Sequence, residues 1–438
     1  MKRLPLFMIL VLILGCCAAA AGEVSVTEVT PVVPTQIALG EDLPITVSCP
    51  GAGGILNLQC RGNLYRNESL TVQENGAVSF TVTGAEMVRT GVKPGSVAIS
   101  FFYEDGQGRT WEPVCRVVQI TGQSFVRPTI AADSLMVDVG DTVLLSGEAG
   151  DAALLELTLD VRLPGNGGGT QSRTVQVQPS QDGRWQYTVA AEYEGLYIAR
   201  LDGITGEGLS LGGNVEAQFY SAGSEAGPAP EVTLASGSYA SGQKAVFTLS
   251  CGTESVQEWD MSLFAAGDGV WRHYGSSSTV FFDYAGEYTL MAAYRSSGGW
   301  SSPALMSITV TGTPWPANGP APIEIEYPDT FTAGTDAAFH VNAQVEGESF
   351  NFHLEDCITT TSVLSAYQVT GNSVFEVPGY LLQAGRAYRL FVDASADGWE
   401  NNRIDYCFIP QASPSRPQAP VLSPDQEKIG RASCRERV

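Results

Sequence analysis

The chain has 438 residues, a length that fits three or four domains better than one. Hydrophobic residues make up 44% of it, which is enough for sizeable buried cores and argues against extensive disorder. The formal net charge is −23, so the chain lacks the basic surface that a nucleic-acid-binding protein needs. Its 48 glycines, together with abundant Thr, Ser and Val, favour strands and turns over helices.

The first 22 residues have the pattern of a secretory signal peptide. Two basic residues precede the apolar run Leu4–Leu14, which is too short to span a bilayer, and small residues follow it. Two modes of cleavage remain open. Cleavage after Ala20 or Gly22 suits the ordinary signal peptidase, whereas Ile13-Leu-Gly-Cys16 resembles a bacterial lipobox that would attach lipid to Cys16. Both predict an extracellular or cell-surface product.

The last ten residues, 429–438, depart from the composition of the rest. Three arginines appear there, in a chain otherwise poor in basic residues. The string resembles a translated sequencing-library adapter, and the alternative is a natural basic tail. On the first interpretation the gene continues past Lys428, and the chain is an amino-terminal fragment.

Three landmarks recur in the same order along the chain and indicate four repeats. The first is a glycine that opens an alternating apolar run, at Gly40, Gly140, Gly242 and Gly334. The second is a glycine that opens a later strand, at Gly95, Gly195, Gly286 and Gly385. The third is a tryptophan after a turn, predicted to be structural, at Trp111, Trp300 and Trp399.

Period-two alternation places side chains on the two faces of a strand, as in Val78–Val82 and Trp185–Val189. Each repeat contains several such strands separated by Gly, Asn, Asp and Ser turns, a pattern typical of antiparallel sandwiches. Helical periodicity is confined to Ala85–Arg89. The sequence therefore predicts an all-β chain of four tandem antiparallel β-sandwiches. The predicted repeats are 23–122, 126–221, 229–312 and 320–411, with a linker and the start of a truncated fifth repeat in 412–428.

These repeats resemble bacterial immunoglobulin-like modules, with fibronectin type III and PKD-like modules as relatives. The third repeat carries the nearest match to PKD-like sequence, in Trp259-Asp260 and in Phe282–Leu290. The Gly-Asp-Gly of that family comes several residues late, at Gly267–Gly269. The resemblance implies immunoglobulin-like sandwiches with extracellular spacer, adhesion or glycan-contact roles, and it implies no catalytic activity.

Two segments rich in Pro, Gly, Ala and Ser separate the later repeats. Ser221–Pro230 and Thr311–Pro322 are predicted to be semi-stiff spacers. Trp315, between two prolines, is predicted to pin the second linker against a neighbouring domain.

Four cysteines form two equivalent candidate disulfides. Cys60 and Cys357 fall on the predicted third strand of their repeats, and Cys115 and Cys407 fall on the last strand. Export permits the bridges Cys60–Cys115 and Cys357–Cys407, although sequence alone does not fix connectivity. The alternative is that all are buried free thiols, which is common for cysteine.

The sequence contains no recognisable catalytic, metal or cofactor motif. The three histidines, His273, His340 and His353, lack a nucleophile elbow or metal-ligand spacing, and the last two fall in strand-like runs. The oxygen-rich stretch Asp393–Asp405 does not match a calcium loop and is interpreted as a polar hairpin tip. We therefore predict no enzymatic activity, metal or cofactor for this segment.

One aromatic cluster suggests a binding surface. Trp271, His273 and Tyr274 follow Gly267–Gly269 in a predicted loop, where flat rings beside polar groups suit a sugar or a protein partner. The alternative is packing in the core or at a sheet edge.

The predicted function is that of a non-enzymatic secreted or cell-surface bacterial protein, a stalk or adhesion array. Its expected partner is an extracellular protein or polysaccharide, with no nucleic acid. Membrane contact would come only through a lipid anchor or a lost C-terminal anchor. The alternative is an accessory region, a spacer or carbohydrate-binding segment, of an extracellular hydrolase whose catalytic domain is lost by truncation.

Overall fold

The computed structural model describes residues 28–51, 53–164, 169–212, 215–252, 256–297 and 299–413. The predicted signal peptide, Cys16, residues 414–428 of the predicted linker and fifth repeat, and the adapter-like string lie outside these residues. The described strands form eight sheets, which pair along the chain into sandwiches, and the all-β class is confirmed. We name the pairs by their strand-bearing residues: sandwich 1 (30–121), sandwich 2 (131–222), sandwich 3 (231–311) and sandwich 4 (324–408).

The first two sandwiches contain sixteen strands and one short helix among the described residues. Sandwich 1 comprises β1 Thr30–Val32, β2 Gln36–Ala38, β3 Leu43–Ser48, β4 Ile55–Gly62, β5 Arg66–Thr71, β6 Ala77–Val82, α1 Gly84–Thr90, β7 Gly95–Glu104 and β8 Val114–Thr121. Sandwich 2 comprises β9 Ala131–Ala132, β10 Met136–Asp138, β11 Thr142–Glu148, β12 Leu154–Arg162, β13 Thr170–Val177, β14 Arg184–Ala190, β15 Gly195–Ile204 and β16 Val215–Ala222. The helix covers the single segment where helical periodicity was predicted.

The last two sandwiches repeat this organisation. Sandwich 3 comprises β17 Glu231–Leu234, β18 Tyr239–Ala240, β19 Gln243–Ser250, β20 Glu258–Ala265, β21 Val270–His273, β22 Thr279–Phe282, β23 Gly286–Ser296, β24 Gly299–Trp300 and β25 Ala304–Thr311. Sandwich 4 comprises β26 Glu324–Glu326, β27 Ala337–Asn342, β28 Ser349–Asp356, β29 Thr361–Thr370, β30 Ser373–Val377, a 3-10 turn Gly379–Leu381, β31 Tyr388–Ser395 and β32 Asn402–Phe408. His340 and His353 lie in strands, as predicted.

Each sandwich pairs a three-stranded small sheet with a larger sheet. In sandwich 1 the orders are β1-β3-β6 and β2-β8-β7-β4-β5, and in sandwich 4 they are β26-β27-β30 and β29-β28-β31-β32. In sandwiches 1 to 3 a short early strand pairs in parallel with the last strand, while nearly all other pairs are antiparallel. Sandwich 4 keeps this feature as a parallel bridge between Thr332 and Gln411.

The opening glycine of each repeat follows that early segment and turns the chain into the small sheet. Gly40, Gly140, Gly242 and Gly334 have φ values of 100°, 102°, 79° and 78°. This left-handed region is accessible to glycine without steric cost. The first landmark glycine therefore recurs because each sandwich needs a positive φ at this turn.

The cores follow from alternation along the strands. Leu43, Ile45 and Val47 on β3 face Leu56 and Leu58 on β4, and all five are almost fully buried. Separate core clusters occupy the other three sandwiches. The opposite faces of the large sheets carry polar, aromatic and small side chains, and these outer faces meet between sandwiches 1 and 4 and between sandwiches 2 and 3.

A buried tyrosine follows the second landmark glycine in three sandwiches. Its hydroxyl donates to a backbone carbonyl a few residues upstream, as in the tyrosine corner of immunoglobulin-like folds. The hydrogen bonds join Tyr197 to Tyr193 O, Tyr288 to Tyr284 O, and Tyr388 to Leu381 O, at 3.2, 2.8 and 2.9 Å. In sandwich 1 the equivalent residue is Val97, and the connection that precedes β7 contains helix α1.

The linkers are docked onto the sandwiches. Glu194 accepts hydrogen bonds from the backbone N–H groups of Glu225 and Ala226, at 2.6 and 3.1 Å. The ring of Trp315 lies 4.9 Å from that of Tyr284 and packs against the core of sandwich 3, which confirms the predicted role of Trp315. Both linkers therefore find partners for their polar or aromatic groups on adjoining sandwiches.

Two side-by-side contacts join sandwiches directly, one between consecutive sandwiches and one between the first and the fourth. The Cys407 N–H in sandwich 4 donates to Ser96 Oγ in sandwich 1 at 2.6 Å, and Arg162 of sandwich 2 forms an ion pair with Asp260 of sandwich 3. We call these contacts the 1–4 joint and the 2–3 joint. The 1–4 joint brings the first and the last of the described sandwiches together.

We expect Tyr388→Phe to destabilise sandwich 4 by about 1–3 kcal/mol, because the Leu381 carbonyl and the Gln383 N–H both lose their phenolic partner in a buried setting. Hydrogen–deuterium exchange of β31 should speed up accordingly. Tyr380→Phe in the same sandwich is the matched control, because the Tyr380 side chain is 80% exposed. Equal exchange in the two variants would contradict the prediction.

Candidate functional site

The segment predicted to present aromatic rings in a loop is a strand. Val270–His273 form β21 at the edge of the large sheet of sandwich 3. Trp271 is 6% exposed, and its ring lies 5.3 Å from that of Phe264. Tyr274 is half-buried against the core of the sandwich. Packing therefore buries Trp271 and part of Tyr274 while His273 stays exposed, so little of the aromatic surface predicted at these three residues is open to a ligand.

His273 belongs to the 2–3 joint. Its Nδ1 lies 3.3 Å from Asp260 Oδ1 and 3.3 Å from Ser262 Oγ. Asp260 is the buried partner of Arg162, whose guanidinium lies 5.5 Å from the ring centre of Trp300. The cavity bordered by these groups measures about 20 Å³, which is room for about one water molecule. Because the charges of Arg162 and Asp260 are paired and the cavity has no room for a ligand, we interpret the 2–3 joint as a structural contact.

We expect Arg162→Met to open the 2–3 joint, because it leaves the buried Asp260 carboxylate without its guanidinium partner, at a cost of about 2–5 kcal/mol. Small-angle scattering should report a larger radius of gyration. Arg184→Met is the matched control in sandwich 2, since the Arg184–Glu148 pair is exposed. A radius unchanged in both variants would show that the pair does not hold the joint.

The four cysteines predicted to form disulfides are free thiols. Strand β7 lies between Cys60 on β4 and Cys115 on β8, and the two side chains point to opposite faces of the sheet. Strand β31 also lies between Cys357, directly after β28, and Cys407 on β32, although these two side chains belong to one cluster. Two inter-strand spacings amount to about 10 Å, whereas a disulfide needs Cα atoms within about 7 Å. Both predicted pairings are therefore wrong.

Burial controls the acidity of these thiols. Desolvation raises the pKa of Cys60 from its ordinary value of 9.0 to about 12, and that of Cys407 also to about 12. A folded-state pKa above the unfolded-state value stabilises the fold fully below the unfolded pKa, and that stability is lost as the pH rises towards the folded pKa. The thiols thus make the fold sensitive to alkali between about pH 9 and 12.

We expect Cys60→Ala to flatten the alkaline fall in the unfolding free energy of sandwich 1. The slope should decrease by about one proton, or about 1.4 kcal/mol per pH unit, measured by denaturant titrations above pH 9. Leu58→Ala is the control, because it removes an equally buried side chain of β4 that does not titrate. The hypothesis fails if the two variants keep the same slope.

The outer face of the large sheet in sandwich 4 carries a row of aromatic rings. His353 on β28 lies 4.9 Å from Tyr367 on β29, nearly perpendicular to it, and 4.7 Å from Phe391 on β31, stacked at 20°. The guanidinium carbons of Arg389 and Arg403 lie 4.8 and 4.7 Å from the centre of the Phe391 ring. We call Tyr367, His353 and Phe391 the aromatic row.

A β-bulge sets the position of Tyr367. The register between β28 and β29 shifts after Phe350, and within this irregularity Gln368 has a left-handed φ of 52°. Asn351 Oδ1 accepts the Gln368 N–H at 2.9 Å and holds this conformation. Tyr367 is 65% exposed. Bulges re-aim side chains, and non-glycine residues held in such a conformation cluster at functional sites.

The groups around the Tyr367 end of the row are uncharged. Ser365 Oγ lies 3.1 Å from His353 Nδ1 and 3.1 Å from Ser362 Oγ, and the amides of Asn351 and Gln368 lie at the adjacent bulge. These hydroxyl and amide groups supply both donors and acceptors. This end therefore combines an exposed ring with neutral hydrogen-bonding groups.

The opposite end of the row is charged but internally paired. Arg403 Nη2 lies 2.9 Å from Asp393 Oδ2, and Arg389 Nε lies 2.6 Å from Asp405 Oδ1. The hydrogen bond to Asp393 raises the pKa of Arg403, so its cation persists. Both carboxylates belong to the β31–β32 hairpin, in line with the polar hairpin predicted for Asp393–Asp405.

The aromatic row is only partly evident in the amino-acid sequence. The alternation in Phe350–Leu354 and in Leu390–Val392 places His353 and Phe391 on outer faces, so part of the signal was present. What the sequence did not show is that β28 and β31 are register partners and that a bulge on β29 adds Tyr367.

No family model matches the chain, and no curated protein matches it. Solved structures give weak likenesses. Native Escherichia coli alpha-2-macroglobulin is 10% identical over 88% of this chain, with a TM-score of 0.27, and this chain spans 33% of its length. A Ca²⁺-stabilised adhesin of an ice-binding Antarctic bacterium is 16% identical over 89% of this chain and 100% of its own, with a TM-score of 0.20.

A tetra-tandem repeat from the extending region of a large adhesion protein is 13% identical over 87% of this chain and 100% of its own, with a TM-score of 0.17. Scores this low assign no function. Among the residues that the structure describes, no helix is long and apolar enough to cross a membrane.

Proposed function

We propose that this chain is a non-enzymatic extracellular adhesion protein that holds a neutral polysaccharide at the aromatic row of sandwich 4. The observation that carries the proposal is the placement of exposed Tyr367, supported by His353 and Phe391, beside uncharged hydroxyl and amide groups. The site is built on strands, which hold side chains more rigidly than loops do.

The chemistry of the row fits a sugar. A pyranose ring offers an apolar C–H face and a rim of hydroxyl groups, so it pairs with an aromatic surface flanked by donors and acceptors. The Arg389 and Arg403 cations are already neutralised by carboxylates, so they offer little to an anionic ligand. The net charge of −23 disfavours acidic polymers further.

The docked sandwiches support this role mechanically. The 1–4 and 2–3 joints and the pinned linkers restrict the orientation of sandwich 4 relative to the rest of the chain. A surface fixed in this way loses less orientational freedom when it engages a long polymer.

The proposal is tested by affinity electrophoresis of the full chain through gels containing neutral polysaccharides, complemented by a glycan microarray. We expect retardation by at least one neutral polysaccharide, and Tyr367→Ala should weaken binding at least about tenfold because it removes the exposed ring. Tyr380→Ala is the matched control, an exposed tyrosine of the same sandwich outside the row. Binding only to acidic glycans, or equal binding by both variants, would overturn the proposal.

A further inference from the structure

The 1–4 joint is lined by unusually small groups. Ser96, Ala98 and Ser100 on the outer face of β7 are almost fully buried, and Ala387 of sandwich 4 lies in the same cluster as Ala98. A Cβ added at Gly62 would lie 2.5 Å from Ser96 O and 2.9 Å from Cys407 Sγ, so sandwich 4 sits directly on this backbone. At this separation, side chains of one sandwich come within hydrogen-bonding distance of the other sandwich.

Three thiols meet in this joint. Cys115 comes from β8 of sandwich 1, while Cys357, directly after β28, and Cys407, on β32, come from sandwich 4. All three are buried and free. Elsewhere among the described residues Cys49 and Cys60 are also free, but they lie in the core of sandwich 1 and face away from the joint.

Cys115 and Cys357 share two neighbours. Ser100 Oγ lies 3.4 Å from Cys115 Sγ and 3.4 Å from the Cys357 carbonyl oxygen, although Ser100 and Cys357 are 257 positions apart in sequence. The Cys357 N–H donates to Ala387 O at 2.9 Å, and Ala387 packs in the same cluster as Cys115. Two residues of different sandwiches that touch the same serine and the same alanine are close neighbours across the joint.

Cys407 occupies a different part of the joint. Its thiol donates to Arg61 O at 3.6 Å and interacts with the Ala98 backbone, and its own N–H binds Ser96. Arg61 is the register partner of Ala98, which lies two residues before Ser100, about 7 Å along an extended strand, and β7 lies between Arg61 on β4 and Cys115 on β8. The strand β31 also separates Cys407 from Cys357. Cys115 is therefore the better partner for Cys357.

We propose that Cys115 and Cys357 are a modification site, a disulfide that covalently closes the 1–4 joint when the chain meets a low-molecular-weight or protein disulfide. One thiol loses its proton and attacks the carrier disulfide, releasing one carrier thiolate and forming a mixed disulfide. The second thiol loses its proton and displaces the other carrier thiolate. The two cysteines are oxidised, the carrier disulfide is reduced, and the two protons end on the carrier thiols.

The joint must open for this exchange. Burial raises the pKa of Cys115 and of Cys357, so the closed form holds few thiolates, and the thiolate is the attacking species. A carrier disulfide also needs access to the sulfur. Transient separation of sandwiches 1 and 4 therefore limits the rate, and the bond then locks the closed arrangement. This inference is independent of sugar binding by the aromatic row.

The test incubates the folded full chain with oxidised glutathione, blocks remaining thiols with N-ethylmaleimide and maps tryptic peptides without reduction. The expected product is a Cys115–Cys357 cross-linked peptide, with faster migration of the chain on a non-reducing gel. Cys115→Ser and Cys357→Ser should each abolish that peptide, whereas Cys49→Ser, a thiol in the core of sandwich 1, should retain it.

Two results would overturn the proposal. One is a dominant bridge of either cysteine to Cys60 or Cys407. The other is a wild-type chain in which Cys115 and Cys357 carry only glutathione or N-ethylmaleimide after prolonged oxidation. Because the mapping of the wild-type chain decides between these outcomes, the test stands even if a serine variant fails to fold. Circular dichroism of each variant identifies that case.

Discussion

The outer face of each large sheet is the constraint on which the arrangement of the sandwiches depends. The inner face fills the core of its own sandwich, but the outer face must meet either solvent or another sandwich. Close approach needs small side chains, such as Ala98 and Ser100 at the 1–4 joint. Where larger polar groups meet, their charge must be paired, as Arg162 is with Asp260.

The same logic explains why one outer face differs from the rest. In sandwich 4 the end of the sheet near Cys407 is covered by sandwich 1, while the rest carries the aromatic row. The cations there are satisfied by carboxylates of the same sheet, so this surface does not depend on a partner for its stability. Because this part of the outer face of sandwich 4 is stable without a covering domain, it is free to bind a ligand.

The fold could be predicted from the sequence because its requirements are local. The left-handed turn at Gly40 and its equivalents, and the Tyr288 corner, depend on residues within a few positions of one another. The predictions that were wrong, the two disulfide pairings, depend on how far apart two strands lie in a sheet. Cys60 and Cys115 were placed on plausible strands, but strand order and side-chain direction decide whether two thiols meet, and neither is local. The bulge at Gln368 is not evident from the sequence for the same reason, since a bulge is defined only relative to the paired strand β28.

The 1–4 joint has a consequence for how the chain is made. Ser96 and Cys407, which hydrogen-bond across it, are 311 positions apart. At synthesis rates of about 5–20 residues per second, the covering face of sandwich 4 appears about 15–60 s after sandwich 1 is complete. During that interval Ala98 and Cys115 are exposed on a folded sandwich that lacks its neighbour. The nascent chain therefore passes through a period of vulnerability to aggregation that the finished molecule does not reveal.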